Sequence, residues 1–215
     1  MLQYLFTDPI SFLIWAGALL AAITIHEFAH AWMSDRLGDP TARLRGRLTL
    51  NPLAHLDPVG TLMLLLFRFG WGKPVPFDPY NLRHPRRDAA LISFSGPVSN
   101  IVLATVLSLV IRFAHLTLGP PAFILETILT PFIILSVVLA IFNLIPIHPL
   151  DGGKVLIGLL PDKLAYEWDQ VLHQYGLIIL LFLLLPIFGF SPIIAILSPI
   201  VNLVLSFFLP GTPLI

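Results

Sequence analysis

The chain has 215 residues, of which 57% are hydrophobic and only 11% are charged. Globular domains are about 45–50% apolar and roughly 25% charged, so this composition excludes an ordinary soluble domain and a disordered chain. Twelve Lys and Arg balance twelve Asp and Glu, and there is no cysteine. A nucleic-acid partner and a disulfide scaffold are therefore not expected, and any metal site must use His and carboxylate ligands. An integral membrane protein remains.

The apolar runs, taken in chain order, predict an all-α polytopic membrane protein with about five transmembrane helices. A span needs about 20 mainly apolar residues, and three runs meet that length: Ile10–Trp32, Ala89–Phe113 and Ala122–Ile147. The stretch Val171–Leu209 is long enough for two shorter spans. We expect these two to form an accessory C-terminal hairpin, with its turn at residues 188–192.

The long connection between the first two spans predicts structure at the membrane surface. Val59–Phe67 is apolar, but about nine helical residues rise only roughly 14 Å, which is too short to span. We therefore predict a re-entrant or interfacial segment there. The Pro-rich run Lys73–Pro79 favours an extended, short β-strand-like segment associated with the membrane.

The basic residues predict the orientation of the spans. All but one of the twelve lie in the two connections that this topology places on one side, and Arg112 falls on the other. Those in the first connection are Arg36, Arg43, Arg45, Arg47, Arg68, Lys73, Arg83, Arg86 and Arg87, and those in the second are Lys154 and Lys163. By the positive-inside rule, the N-terminus is expected outside, with both connections and the C-terminus in the cytosol.

A candidate metal site lies at the end of the first span, in the run His26-Glu27-Phe28-Ala29-His30. Residues at i and i+4 share one helix face, so the two imidazoles can bind one metal ion. The glutamate beside the first ligand can take a proton from metal-bound water. Ionisable side chains inside a membrane helix are costly, about 2.5–3.5 kcal/mol each on insertion scales, which favours a functional site over two satisfied core histidines.

The candidate third ligand is Asp151, at the end of the third span. A zinc hydrolase needs three protein ligands and leaves the fourth position open for water. The first and third spans run in the same direction, so both motifs reach the cytosolic side of the bilayer. Proline and glycine around Asp151 predict irregular backbone, which is tolerated at that depth where it lines a protein-enclosed or watery cavity. A simple Asp-Gly turn at a helix end is the alternative.

With these motifs, the chain resembles the site-2 proteases, zinc metalloproteases that cut within membranes. The resemblance rests on HEFAH at 26–30 and NLIPIHPLDGG at 143–153, with NPLAHLDPVGTL at 51–62, GWGKPVPFDP at 70–79 and SGPVSN at 95–100. It implies the compact bacterial or archaeal type without an appended soluble domain. Residues 1–215 would then form one membrane-embedded domain, with a catalytic core at about 10–160 and the accessory hairpin at about 171–209.

The resemblance also implies the roles of the site residues. His26, His30 and Asp151 would hold one Zn²⁺ per chain, with Glu27 as the catalytic base. Asn143 would contact the substrate backbone or stabilise the developing oxyanion. The substrate would be a transmembrane helix of another protein, cut near the cytosolic side of a prokaryotic inner membrane, while the oligomeric state stays open.

Four other residues admit two interpretations each. Asn100 and Gly96 are tentative substrate-binding residues, because Asn100 is expected to face the active-site cavity and Gly96 to allow close helix approach. Alternatively, both belong to a structural packing and helix-start motif. His148 lies three residues before Asp151 and is expected to hydrogen-bond near the metal rather than to bind it. For His55, a polar loop histidine is favoured over a gating contact.

Two other functions compete with proteolysis. A non-catalytic, membrane-binding or chaperone-like relative could keep the fold, although Glu27 and Asp151 are both present. A haem carrier is disfavoured because imidazoles at i and i+4 cannot occupy opposite axial positions of one iron. A transporter is disfavoured because no paired broken helices stand out in corresponding halves of the chain.

Overall fold

The computed structural model describes residues 7–67, 70–186 and 191–209, and its regular structure is helical. We number the α-helices α1 to α8 in chain order. They are α1 Pro9–Arg36, α2 Thr41–Leu44, α3 Pro58–Phe67, α4 Pro85–Leu118, α5 Ala122–Asn143, α6 Asp151–Leu159, α7 Asp162–Leu184 and α8 Pro192–Phe208. Single 3-10 turns cover Pro52–Ala54 and Pro79–Asn81.

Three of these helices, α1, α4 and α5, are long and apolar enough to cross a bilayer. They have 28, 34 and 22 residues, and at about 1.5 Å per residue each exceeds the roughly 30 Å of hydrocarbon. Apolar side chains on their outer faces, such as Leu109 and Phe113, are exposed as a lipid-facing surface requires. The chain is therefore an integral membrane protein, as its composition predicts.

The prediction of two further spans within Val171–Leu209 is not confirmed. Among the described residues, α7 and α8 do not meet the length and apolarity that α1, α4 and α5 meet. Helix α7 begins at Asp162, and its first two turns carry Lys163, Glu167 and Asp169. Helix α8 is apolar but has 17 residues. Residues 188–190 of the expected turn lie outside the described part of the chain, so the five-span topology stays a prediction.

The connection between α1 and α4 is helical and irregular rather than strand-like. The short apolar segment forms α3, whose 10 residues rise about 15 Å and cannot span. The described residues form no strand at Lys73–Pro79, where the sequence predicts one. They contain an isolated antiparallel bridge between Leu56 and Gly72, just before that segment. Pro74, Pro76 and Pro79 lack the N–H group that a strand needs for its ladder, which accounts for the absence of a strand through this described segment.

Helix α4 lies at the centre of the bundle and packs against α1, α5 and α6. Small side chains permit close approach: Ala18 and Ala22 of α1, Ala104 of α4 and Ser136 of α5 are fully or almost fully buried. Membrane helices commonly associate through such small residues, because lipid supplies no hydrophobic force between them. The centre of α4 therefore lies close against α1 and α5.

Asp39, just after α1, ties the end of that helix to the Pro-rich segment. Its buried carboxylate accepts hydrogen bonds from the hydroxyls of Ser34 and Thr41, from the amide side chain of Asn81 and from the backbone N–H groups of Asp78 and Thr41. Burial would raise the pKa of Asp39, but these hydrogen bonds outweigh it and lower the pKa to about 2. The ionised carboxylate thus holds one end of segment 73–79 in place.

The depressed pKa of Asp39 predicts an acid-sensitive contribution to stability. A group whose pKa falls from 3.8 to about 2 on folding stabilises the folded state fully above pH 4, and that contribution is lost as pH falls through about 2. The full contribution is about 2 kcal/mol. We expect Asp39→Asn to lower the melting temperature at pH 7, and the difference from wild type to shrink as pH falls from 4 towards 2. Asp162→Asn, at an exposed carboxylate, is the control. An equal difference at pH 7 and pH 2.5 would contradict the assignment.

Candidate metal centre

His26, His30 and Asp151 come together where α1, α4 and α6 meet. His26 and His30 lie one helical turn apart on α1, and Asp151 is the first residue of α6. Oδ2 of Asp151 lies 3.0 Å from Nε2 of His26 and 3.3 Å from Nε2 of His30. One nitrogen of each imidazole and one carboxylate oxygen lie within 4.8 Å of one another, so the group could hold a metal ion. Both histidines are buried.

The backbone of α4 fixes the orientation of His30. Nδ1 of His30 lies 2.7 Å from the carbonyl oxygen of Ile92. A carbonyl only accepts, so Nδ1–H donates, and the lone pair of Nε2 faces Asp151. Metal-ligating histidines usually make this outer hydrogen bond, which sets the tautomer and the ring plane.

Asn100 performs the corresponding task for His26. The side chain of Asn100 is fully buried, and its amide nitrogen lies 3.4 Å from Nδ1 of His26. Oδ1 of Asn100 has no hydrogen-bond partner among the described residues. Rotating the amide by 180° brings Oδ1 to Nδ1–H, which satisfies that buried oxygen and leaves the lone pair of His26 Nε2 facing Asp151. Asn100 therefore lies behind the imidazole, and a direct contact of Asn100 with substrate stays a prediction.

Gly96 makes room for both imidazoles. A Cβ atom at this position would lie 2.5 Å from Cε1 and Nε2 of His30 and 2.8 Å from Cε1 of His26. Real Cβ atoms essentially never approach ring atoms so closely, so only glycine fits the present geometry. The structure shows a close approach of α4 to α1 at Gly96, and a part of Gly96 in substrate binding stays a prediction.

The Asp-Gly-Gly sequence lets the α5–α6 loop fold tightly against the start of α6. A Cβ at Gly152 would lie 2.3 Å from the carbonyl oxygens of both Leu144 and Ile145. Helix α5 ends at Asn143, four residues earlier than the sequence predicts, and Pro146 and Pro149 keep the loop from continuing it. The loop turns the chain so that Asp151 enters the space beside His26 and His30.

Glu27 follows His26 on α1 and contacts the Pro-rich segment. The side chain of Glu27 is half-buried, and its Oε2 accepts a hydrogen bond of 3.2 Å from the backbone N–H of Val75. The Lys73 N–H donates to the carbonyl of His55, and this hydrogen bond fixes the first residue of segment 73–79. Segment 73–79 therefore covers the carboxylate that the sequence predicts as a base.

Asn143 and His55 make hydrogen bonds within their own segments. The side-chain amide of Asn143 donates to the carbonyl of Leu139 in its own helix, 3.0 Å away, and its contact with a substrate stays a prediction. His55 is fully buried, and its Nε2 donates to the carbonyl of Thr49 at 2.8 Å, which supports a structural loop histidine.

Lys154 is a site residue that the sequence analysis missed. It lies one turn after Asp151 on α6, and its ammonium group is 4.6 Å from the centre of the Phe77 ring. Burial lowers the pKa of Lys154, whereas the negative charges of Asp151 and Glu27 raise it. The i, i+3 spacing from Asp151 is the signal that could have identified this cation.

A buried donor set of two imidazoles and one carboxylate, with a glutamate beside it, defines a metal-hydrolase type of centre within a membrane protein. Comparison with known proteins agrees with this class. The profile of Peptidase family M50 matches residues 117–184, which include Asn143 and Asp151. The chain belongs to this family, the site-2 protease family.

Three relatives illustrate the similarity. "Putative zinc metalloprotease YwhC" of Bacillus subtilis is 40% identical over 169 residues, which cover 77% of each chain. "Putative zinc metalloprotease Rip2" of Mycolicibacterium smegmatis is 32% identical over 81% of this chain and 67% of its own. "Zinc metalloprotease MJ0392" of Methanocaldococcus jannaschii is 24% identical over 69% of this chain and 34% of its own. No solved structure gave a significant match.

Proposed function

We propose that the chain is an intramembrane zinc protease that hydrolyses a peptide bond in a transmembrane helix of another protein. The observation that carries the proposal is the convergence of His26, His30 and Asp151 in a buried cluster, with Glu27 next to His26. The names of the relatives, which describe zinc metalloproteases, support the choice of metal.

The residues of the cluster fit zinc. With metal–ligand distances of about 2.0–2.2 Å, two ligand atoms of a tetrahedral site lie about 3.3 Å apart, close to the measured 3.0 and 3.3 Å. The outer hydrogen bond from His30 to Ile92 and the unsatisfied oxygen of Asn100 suit two imidazoles that both present Nε2. Three protein ligands leave a fourth position open, as in catalytic zinc sites.

Glu27 moves the protons in this mechanism. Zinc held by the cluster supplies a Lewis acid that polarises the scissile carbonyl and acidifies water. The Glu27 carboxylate accepts a proton from the attacking water and later delivers it to the leaving amine nitrogen. The Val75 N–H fixes one carboxylate oxygen and leaves the other for the water. Lys154 adds a positive charge near Asp151 and Glu27. Asn143 stabilises the developing oxyanion when its amide is released from the Leu139 carbonyl.

The substrate helix must unwind before cleavage, because a helical amide is hydrogen-bonded and shielded. We propose that the unwound peptide enters beside the Pro-rich segment 73–79, whose backbone carbonyls can accept hydrogen bonds from an extended chain. Substrates with helix-weakening residues near the cytosolic face are therefore preferred. The positive-inside pattern supports an N-terminus outside and a site near the cytosolic side of a prokaryotic inner membrane.

Metal removal tests this function directly. Detergent-solubilised protein treated with a chelator should lose at least about 100-fold in cleavage of a reconstituted transmembrane-helix substrate, because the protein residues alone acidify water poorly. One equivalent of Zn²⁺ per chain should restore the rate, whereas Mg²⁺, which prefers oxygen ligands, should not. The measurement is the initial rate of product formation alongside bound zinc by elemental analysis.

Two results would contradict the proposal. Full activity in the metal-free protein would exclude the zinc mechanism. Zinc bound at this cluster with no cleavage of any helix-destabilised substrate would instead favour the non-catalytic relative.

A further inference from the structure

A second group of metal-ligand side chains lies between the α5–α6 loop and α7. Nε2 of His148 lies 3.5 Å from Oδ1 of Asp169, and Nε2 of His173 lies 3.6 Å from the same oxygen. The His148 and His173 rings have centroids 4.6 Å apart. One ligand atom from each of the three residues lies within 4.8 Å of the others, as in the first cluster. The three residues are distinct from those of the first cluster.

The distances suit a shared ion better than direct hydrogen bonds. Nitrogen-to-oxygen hydrogen bonds have a mode of about 2.9–3.0 Å, and 3.5–3.6 Å is too long for a strong one. Around a tetrahedral ion, neighbouring ligand atoms lie about 3.3 Å apart. A contraction of a few tenths of an ångström would bring each nitrogen to that spacing from the Asp169 oxygen, and the ligand atoms of the two imidazoles already lie within 4.8 Å of each other.

The fold supports this arrangement at two points. Asp169 and His173 are separated by four residues on α7, so both side chains lie on one helix face. The backbone of His148 packs against α7 at Gly176, where a Cβ would lie 2.6 Å from the His148 carbonyl oxygen. The third side chain is thus brought to the helix face by a contact that only glycine allows.

The environment suits a bound ion and an additional ligand. His148 is buried, and its Nε2 faces the Asp169 carboxylate. A cavity of about 440 Å³ lies alongside, lined by the three side chains and by Lys154 and Phe77. The imidazole of His173 is largely exposed, so an ion can enter and water can complete its coordination.

We propose that His148, Asp169 and His173 form a second binding site for a divalent transition-metal ion of the zinc type, which links the α5–α6 loop to α7. Two imidazoles and one carboxylate prefer zinc over Mg²⁺ or Ca²⁺. The site is more exposed than the first cluster and binds more weakly. It acts on the loop that leads into Asp151, so its occupancy stabilises the position of that residue. This proposal does not depend on protease activity.

Zinc stoichiometry tests the second site. The full chain is purified in detergent without a polyhistidine tag, equilibrated with excess ZnCl₂, desalted in buffer with micromolar free zinc, and analysed for bound metal. We expect two zinc ions per chain in wild type and one in His173→Asn and in Asp169→Asn. Both side chains are at least partly exposed, so these variants should fold. His84→Asn, at an exposed histidine outside both clusters, should keep two.

A second measurement separates this site from the first. His30→Asn should retain one zinc ion and a zinc-dependent rise in melting temperature, because a ligand that binds the folded state stabilises it. The double variant His30→Asn/His173→Asn should lose both. One zinc ion in saturated wild type that His173→Asn retains, or two ions in His173→Asn and Asp169→Asn, would overturn the second site. Neither result would bear on the first cluster or on proteolysis.

Discussion

Replacing Glu27 with glutamine is expected to leave zinc binding intact and to lower cleavage by about 10²–10⁴-fold, the usual contribution of a general base. The amide has the shape of the carboxylate, and its oxygen can still accept the hydrogen bond from Val75 N–H. It cannot accept the proton of the attacking water at neutral pH. The loss should therefore fall on kcat, with little change in substrate binding.

The measurement for Glu27→Gln combines single-turnover cleavage with bound zinc by elemental analysis. Glu167→Gln is the matched control, because Glu167 is exposed on α7 and belongs to neither cluster. The control should cleave at the wild-type rate. Wild-type turnover by Glu27→Gln would exclude Glu27 as the base, even if zinc were bound as expected.

The Gly96→Ala substitution is expected to lower the zinc affinity of the first cluster by about 10–100-fold and to lower cleavage at limiting zinc by a similar factor. The added methyl group would lie 2.5 Å from the His30 ring, so the ring must rotate or α1 must move away from α4. Ring rotation breaks the hydrogen bond to Ile92, and outer-shell losses of this kind cost about 10–100-fold in metal affinity. Overpacking adds about 1–3 kcal/mol of destabilisation.

Gly17→Ala controls for the general effect of alanine in a packed membrane helix. The nearest atom to a Cβ at Gly17 is Cζ of Phe132 at 3.9 Å, an ordinary van der Waals contact. This variant should bind zinc and cleave like wild type. Bound zinc and melting temperature, measured for both variants, distinguish a local effect from unfolding. Wild-type zinc affinity in Gly96→Ala would show that the imidazoles do not need the present packing.

The histidine pair and Asp151 could be predicted because short sequence motifs indicate metal-ligand side chains at these positions. The i, i+4 spacing places His26 and His30 on one face, and the shared direction of the first and third spans placed Asp151 at the same depth. The structure brings the three together as expected. Their role as zinc ligands, like that of Glu27 as base, stays a prediction that the experiments above address.

The residues around the ligands could not be predicted because they depend on contacts between distant segments. Asn100 reaches His26 across 74 positions, and the Ile92 carbonyl reaches His30 across 62. The imidazole of His148 faces Asp169 on α7, a contact that the sequence analysis did not predict, and the expected hydrogen bond near the first metal site stays a prediction. The sequence shows that His148 lies three residues before Asp151. Which helix the His148 side chain faces depends on the packing of the loop against Gly176.

The β-strand expected in the Pro-rich run was not found in the described residues, and the two C-terminal spans were not confirmed, for different physical reasons. Proline residues adopt the extended backbone angles of a strand but lack the N–H groups that pair strands. The sequence of Lys73–Pro79 therefore predicts extended backbone, but the segment cannot form the hydrogen bonds of a sheet. In α7, the apolar residues that suggested a span continue a helix whose first turns are charged. A hydropathy window cannot tell where such a helix begins.

The hydrogen bond from His30 to the Ile92 carbonyl determines what mutational scanning can reveal about this centre. An alanine scan removes side chains, and Ile92→Ala would keep the carbonyl that orients the imidazole. Gly96 and Gly152 contribute because they have no side chain, so a truncating substitution cannot detect their roles either. Truncating side chains therefore does not test the roles of Ile92, Gly96 and Gly152. Substitutions that add atoms at the two glycines do test them.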